Sequence, residues 1–122
     1  MMRPILVVDD SPSVRNMIAS TLKTAGYAVE TAQDGQEALE ATRRTSFRAV
    51  ITDQNMPRLD GVSFCEAFRS RPENRGIPVV FLSTESEDSI KQRARAAGAI
   101  GWMTKPFDQA QLLSVVGKVV GA

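Results

Sequence analysis

The chain has no histidine among its 122 residues. Histidine-centred acid–base catalysis and most zinc sites are thereby excluded. A single cysteine, Cys65, rules out an internal disulfide and suits a reducing cytosol. Nothing beside Cys65 argues for a nucleophile, and it reads as a half-buried filler next to Phe64. Long apolar runs are missing too, so neither a signal peptide nor a membrane span is expected. Charge of one sign is also lacking. A net charge of +1 gives no electrostatic case for nucleic acid or an anionic membrane as partner. The basic residues are scattered, with Arg43-Arg44 and the Lys91, Arg93, Arg95 series on solvated helix faces. Linkers and low-complexity segments are absent. With 43% hydrophobic and 24% charged residues, the composition is that of an ordinary globular domain. At this length one core buries about two-thirds of the unfolded surface.

What is present is a set of short apolar runs: Ile5–Val8, Ala49–Ile51, Val79–Leu82 and Ala99–Met103, with Tyr27, Val29 and Thr31 alternating as another short strand. Stretches of helical period separate them, the pattern of βα units and a parallel sheet. Ser11 before Pro12 is an N-cap followed by proline at the first helical position. Val14, Met17, Ile18, Thr21, Leu22 and Ala25 then form one buried face, stopped by Gly26. Asp34 with Glu37 starts a second helix, and Asp60-Gly61 a third, with Phe64, Ala67 and Phe68 inward and Arg71-Pro72 at its end. Ser86 caps the expected fourth, with Ile90, Ala94 and Ala97 on one face and Gly98 at its stop. Asp108 and Gln111 form a capping-box pattern before Leu112, Val115, Val116 and Val119.

Four of the runs end in Asp9-Asp10, Asp53, Ser83-Thr84 and Lys105. In a parallel sheet those ends converge at the carboxyl edge, where open α/β folds place their ligands. Like charges ~4 Å apart repel by roughly 4 kcal/mol at an effective dielectric near 20. Three carboxylates together therefore call for a cation, and hard oxygen ligands select Mg²⁺ or Mn²⁺ over zinc.

Val8-Asp9-Asp10-Ser11, Thr52-Asp53-Gln54-Asn55-Met56-Pro57 with Asp60-Gly61, Leu82-Ser83-Thr84-Glu85 and Thr104-Lys105-Pro106-Phe107 resemble, in order, the motifs of two-component response-regulator receiver domains. The resemblance covers essentially residues 1–122. It implies a flavodoxin-like, doubly wound α/β fold with a five-stranded parallel sheet in order 2-1-3-4-5 and five helices. It implies that Asp53 is the phosphoacceptor, attacking a phosphohistidine on a sensor histidine kinase. Asp10, Asp53 and the main-chain carbonyl of Asn55 would ligate Mg²⁺ (or Mn²⁺), with Asp9 acting through a water. Lys105 would offset phosphoryl charge, and Ser83 with the backbone N–H of Thr84 would bind the phosphoryl oxygens after transfer. A cis peptide is expected at Lys105-Pro106.

Ser83 and Trp102 would form the family's switch, with Trp102 turning inward into space vacated by the hydroxyl. A second reading of Trp102, as a partly buried packing residue, stands beside it. Asn55 and Glu85 lie where the family tunes phosphoryl lifetime, and the pair is similar to that of fast-decaying chemotaxis regulators. The expectation is a cytoplasmic, monomeric CheY-like receiver that modifies its own Asp53 without being a turnover enzyme. Its output is expected through a downstream protein, with the flagellar motor switch as a target. Phosphate sink or relay outside chemotaxis is the alternative. A haloacid-dehalogenase-type phosphohydrolase is the rival from another class, but it needs Asp-x-Asp after the first strand, where this chain has adjacent acids.

Overall fold

Parallel strands buried on both faces read as continuous apolar runs, and the first, third and fourth strands are built this way. The computed structural model of the protein describes residues 3–84 and 87–120. Along the chain run β1 (Ile5–Val8), α1 (Pro12–Thr24), β2 (Val29–Ala32), α2 (Gly35–Arg44), β3 (Ala49–Thr52) and α3 (Gly61–Arg69). A short 3₁₀ turn (Pro72–Asn74), β4 (Val79–Ser83), α4 (Asp88–Ala96), β5 (Gly101–Thr104) and α5 (Gln109–Val119) complete it. All strand pairs are parallel, in the order β2-β1-β3-β4-β5. The expected fold is the one observed.

Alternation along each strand divides the core in two. Leu6, Val8, Val50, Val79 and Phe81 face Ala38, Val62, Phe64, Phe68 and Ala94 of α2, α3 and α4. Ile5, Val7, Ala49, Ile51 and Leu82 face Ile18, Leu22, Leu112 and Val116 of α1 and α5. The sheet is thus wound on both sides, which leaves its carboxyl edge open.

The helix starts follow their local signals. Ser11, Asp34, Asp60 and Asp108 each cap with a side-chain oxygen, and Asp108 with Gln111 closes the capping box. Several expected boundaries move. Gly26 and Gly98 lie at φ +100° and +106°, and each closes a Schellman motif. Tyr27 donates its N–H to Leu22 O at 3.0 Å, and Ala99 donates to Ala94 O at 3.0 Å. Residues still serving a helix end cannot join a strand ladder, so β2 starts at Val29 and β5 at Gly101, later than the runs suggest. Ala25 is exposed as the α1 C-cap, not part of the buried face. α3 ends at Arg69 with Ser70 as its C-cap, directly before Arg71-Pro72, where the 3₁₀ turn begins. Ser86, expected to cap α4, lies outside the described residues; Glu87 occupies the N-cap position. Cys65 is fully buried, not half-buried, and its thiol donates to Ala97 O at 3.2 Å. Burial pushes that thiol up to about 11, which leaves it inert at neutral pH.

Candidate functional site

The strand register carries the acids to one place. Val8 lies opposite Thr52, so the next residues, Asp9 and Asp53, emerge side by side. Asp53 N–H donates to Val8 O at 2.9 Å, and Asp9 N–H to Ala32 O at 3.1 Å, so both backbones are held by the ladder as it ends. Ser83 pairs with Thr104, and Lys105 N–H donates back to Ser83 O at 2.8 Å. Lys105 thus leaves β5 beside the acids, and its peptide bond to Pro106 is cis, as expected.

The side chains meet there. Lys105 Nζ lies 2.7 Å from Asp9 Oδ2 and 3.2 Å from Asp53 Oδ2. Carboxylate oxygens of Asp9, Asp10 and Asp53 lie within 4.8 Å of one another. Asp9 and Asp53 are buried, at 1% and 7% exposure, while Asp10 opens to solvent. Burial alone would lower the Lys105 ammonium, but the hydrogen bond to Asp9 and the charges of Asp53 and Asp9 outweigh it, raising it above the ordinary 10.5. Three carboxylates against one ammonium leave an excess of negative charge. An all-oxygen, partly open acidic cluster is the donor chemistry of a hard divalent cation such as Mg²⁺.

Other expected residues are placed more loosely. Ser83 is fully buried at the end of β4, and Thr84 is exposed immediately after it. Asn55 is exposed in the turn following Asp53. Trp102 is half-buried, lying flat on Phe81 at 5.2 Å between ring centroids and 3° between planes. That contact is what its packing reading requires. Glu85 lies outside the described residues.

Four further residues shape the site through contacts that were not read from the sequence. Arg15 Nη1 donates to Asp9 O at 2.7 Å, and Ser11 N–H donates to Asp9 Oδ1 at 2.9 Å. Thr52 Oγ1 donates to Asp53 O at 2.8 Å. Gln54 N–H donates to Asp53 Oδ1 at 2.7 Å, and its Oε1 accepts from Val62 N–H at 2.9 Å. The contacts of Ser11, Thr52 and Gln54 with Asp9 or Asp53 join residues one or two positions apart, whereas those of Arg15 with Asp9 and of Gln54 with Val62 have no local signal.

A parallel sheet in this order with its acids at the carboxyl edge is a flavodoxin-like domain. The family model described as the response regulator receiver domain matches residues 5–117. Among solved structures, the chemotaxis protein CheY4 of Vibrio cholerae is 42% identical, covers 98% of this chain and 99% of its own, and superposes with a TM-score of 0.93. The receiver domain of the sensor histidine kinase PA1611 of Pseudomonas aeruginosa is 27% identical, covers 100% of both chains and has a TM-score of 0.90. That structure has a magnesium ion coordinated in its active-site cleft. Among curated relatives, response regulator MprA of Mycolicibacterium vanbaalenii is 40% identical over 112 residues, 90% of this chain and 47% of MprA. The gliding motility regulatory protein of Myxococcus xanthus is 38% identical over 101 residues, 83% of this chain and 13% of its own length. The chain therefore spans about half of one curated relative and much less of the other. It belongs to the response-regulator receiver domain family. Receiver domains are the phosphoacceptor modules of two-component signalling. Among the described residues, no helix is long and apolar enough to cross a membrane.

Proposed function

We propose that Asp53 takes the phosphoryl group from a phosphohistidine of a sensor histidine kinase. A carboxylate oxygen of Asp53 forms the new P–O bond as the P–N bond breaks, and the imidazole nitrogen leaves with the bonding electron pair. The single observation that carries this reading is the Lys105 ammonium bridging Asp53 and Asp9 at 3.2 and 2.7 Å, in a pocket that keeps surplus negative charge. Lys105 is placed to follow charge onto the phosphoryl oxygens, the electrostatic contribution that dominates such transfers. Asp10, Asp53 and the Asn55 main-chain carbonyl would hold Mg²⁺ or Mn²⁺, with Asp9 acting through water, and the bound ion would supply further neutralisation of phosphoryl charge. Ser83 and the Thr84 N–H then bind the phosphoryl oxygens. Asn55 and Glu85 tune the lifetime of the acyl phosphate. Hydrolysis returns the aspartate, so the chain modifies itself and is not a turnover enzyme.

The likeness to CheY4 over nearly the whole of both chains favours a chemotaxis output, with a monomeric cytoplasmic receiver acting on the flagellar motor switch. Ser83 and Trp102 form the switch that changes the output surface. Acetyl phosphate with Mg²⁺ should add one phosphoryl group to the wild type and none to Asp53→Asn, read by intact mass. Equal labelling of both proteins would sink the assignment. Steady release of phosphate from simple esters, without a stoichiometric label, would point instead to a phosphohydrolase. For the output, a motor-switch protein should be retained by the beryllofluoride-treated chain and not by the untreated one. Equal retention would leave only the phosphate-sink or relay role.

A further inference from the structure

A backbone carbonyl is aimed by the φ and ψ of its own turn, not by a rotamer, so whatever holds residues 54–59 sets where the Asn55 carbonyl points. That turn is pinned at both ends. At its start, Gln54 O accepts from Gly61 N–H at 2.9 Å, and Gln54 Oε1 accepts from Val62 N–H at 2.9 Å. At its end, Arg58 reaches back to α2. Its Nε and Nη2 lie 2.8 and 2.7 Å from Asp34 Oδ2, while Asp34 Oδ1 accepts from Glu37 N–H at 2.8 Å. Leu59 O accepts from Gly35 N–H at 3.2 Å, an approach so close that a Cβ on Gly35 would run into that oxygen.

The Arg58 backbone sits at φ 68°, a left-handed conformation that costs a side-chain-bearing residue energy and persists only where its surroundings over-determine it. The Asp34 side chain is 5% exposed and that of Arg58 is 58% exposed. The arginine therefore covers a carboxylate that is otherwise committed to capping α2. Neither residue approaches the reacting atoms through any contact described above.

We propose that Asp34 and Arg58 are positioning residues for the metal-facing carbonyl of Asn55: their ion pair ties the far end of the phosphoacceptor turn to the first turn of α2 and so sets metal affinity. The proposal rests on the reading of Asp53 as phosphoacceptor with the Asn55 carbonyl as a metal ligand. Two variants isolate the pair. Arg58→Gly removes the guanidinium and relaxes the left-handed backbone, so it should fold at least as well. Asp34→Asn keeps a capping oxygen and removes the charge.

Mn²⁺ binding to the full chain is read by electron paramagnetic resonance, alongside the Mg²⁺ dependence of labelling by acetyl phosphate and metal-free thermal melts. Loss of an outer partner weakens metal sites by about tenfold or more, so both variants should bind Mn²⁺ about tenfold more weakly and need correspondingly more Mg²⁺ for half-maximal labelling. At saturating Mg²⁺ the labelling rate should return close to that of the wild type. Unchanged Mn²⁺ affinity and Mg²⁺ dependence in both variants, whatever the melts do, would overturn the proposal and reduce the pair to a structural contact. A wild type that binds Mn²⁺ but takes no label overturns the phosphoacceptor reading instead, and this inference falls with it.

Discussion

After β3 the chain turns through residues tied to α2 and α3, whereas at the end of β4 the described residues pass from full burial to exposure within one position. In the first region, Gln54 and Asp60 satisfy the N–H groups of Gly61, Val62 and Ser63 at the start of α3, and Arg58 and Leu59 are tied to α2. In the second, buried Ser83 gives way to exposed Thr84, and α4 begins at Asp88 with no cap from the Glu87 side chain. β3 is buried throughout, while β5 is half-buried and ends exposed at Thr104. Only Ala94 of α4 is buried. The difference teaches how one sheet edge serves two tasks. On the proposed function, the residue that accepts the phosphoryl group sits on a turn bonded to two helices. On the same reading, the elements that respond to it, α4 and β5, are the less buried ones.

The largest expected effect compares the two helices directly. Phe64→Ala empties a fully buried site of α3 and should cost about 3–5 kcal/mol. Ile90→Ala on half-buried α4 should cost about 1 kcal/mol. Urea unfolding of the two variants would break the comparison if the costs came out equal.

Gly61→Ala is next. In an ordinary helix this change stabilises by roughly 0.5–1 kcal/mol. Here a Cβ would run into Asp53 O and lie 2.8 Å from the Phe81 ring. The sign should therefore reverse, to a loss of about 1–3 kcal/mol. Acetyl phosphate labelling should slow as well, since the strain falls on the backbone of Asp53. A stabilised Gly61→Ala variant would show that the turn yields more easily than its contacts imply.

Lys105 links the two regions, running from the end of β5 to the acids of β1 and β3, and its pH dependence sharpens the contrast. Its folded-state value is raised above the ordinary 10.5. The stability it contributes is fully present below 10.5 and lost as pH rises through the folded value. Melting temperatures of the wild type should therefore fall above that pH by a step that Lys105→Met lacks. Parallel curves for the two proteins would refute the coupling.

The smallest signal comes from the less buried region. Trp102 emission should change little with Mg²⁺ and clearly with beryllofluoride, and Ser83→Ala should weaken that change. A spectrum indifferent to beryllofluoride, with binding confirmed separately, would falsify the aromatic switch and leave Trp102 as the packing partner of Phe81.

Much of this division was legible in the amino-acid order. Asp34, Asp60 and Asp108 cap helices through bonds to residues three positions away, and such contacts are written locally. Apolar runs of three to five residues, followed closely by an acid, a hydroxyl or a lysine, are enough to name four of the five strands and to place the site at their carboxyl ends. The motifs in order then bring Asp9, Asp10, Asp53 and Lys105 together as a set.

Other features depended on partners far away in the chain. The contact of Lys105 with Asp9 spans 96 positions and that of Arg58 with Asp34 spans 24. Whether Cys65 is half or fully buried depends on the carbonyl of Ala97 coming to meet it. The start of β5 depends on Ala99 having already given its N–H to α4. Periodicity and capping are properties of neighbouring residues, so the sequence by itself determined the helices, the strands and the identity of the acidic cluster. The tertiary structure alone decided how firmly the turn after β3 is held, because a hydrogen bond or ion pair exists only once the fold has brought both of its groups within about 3 Å.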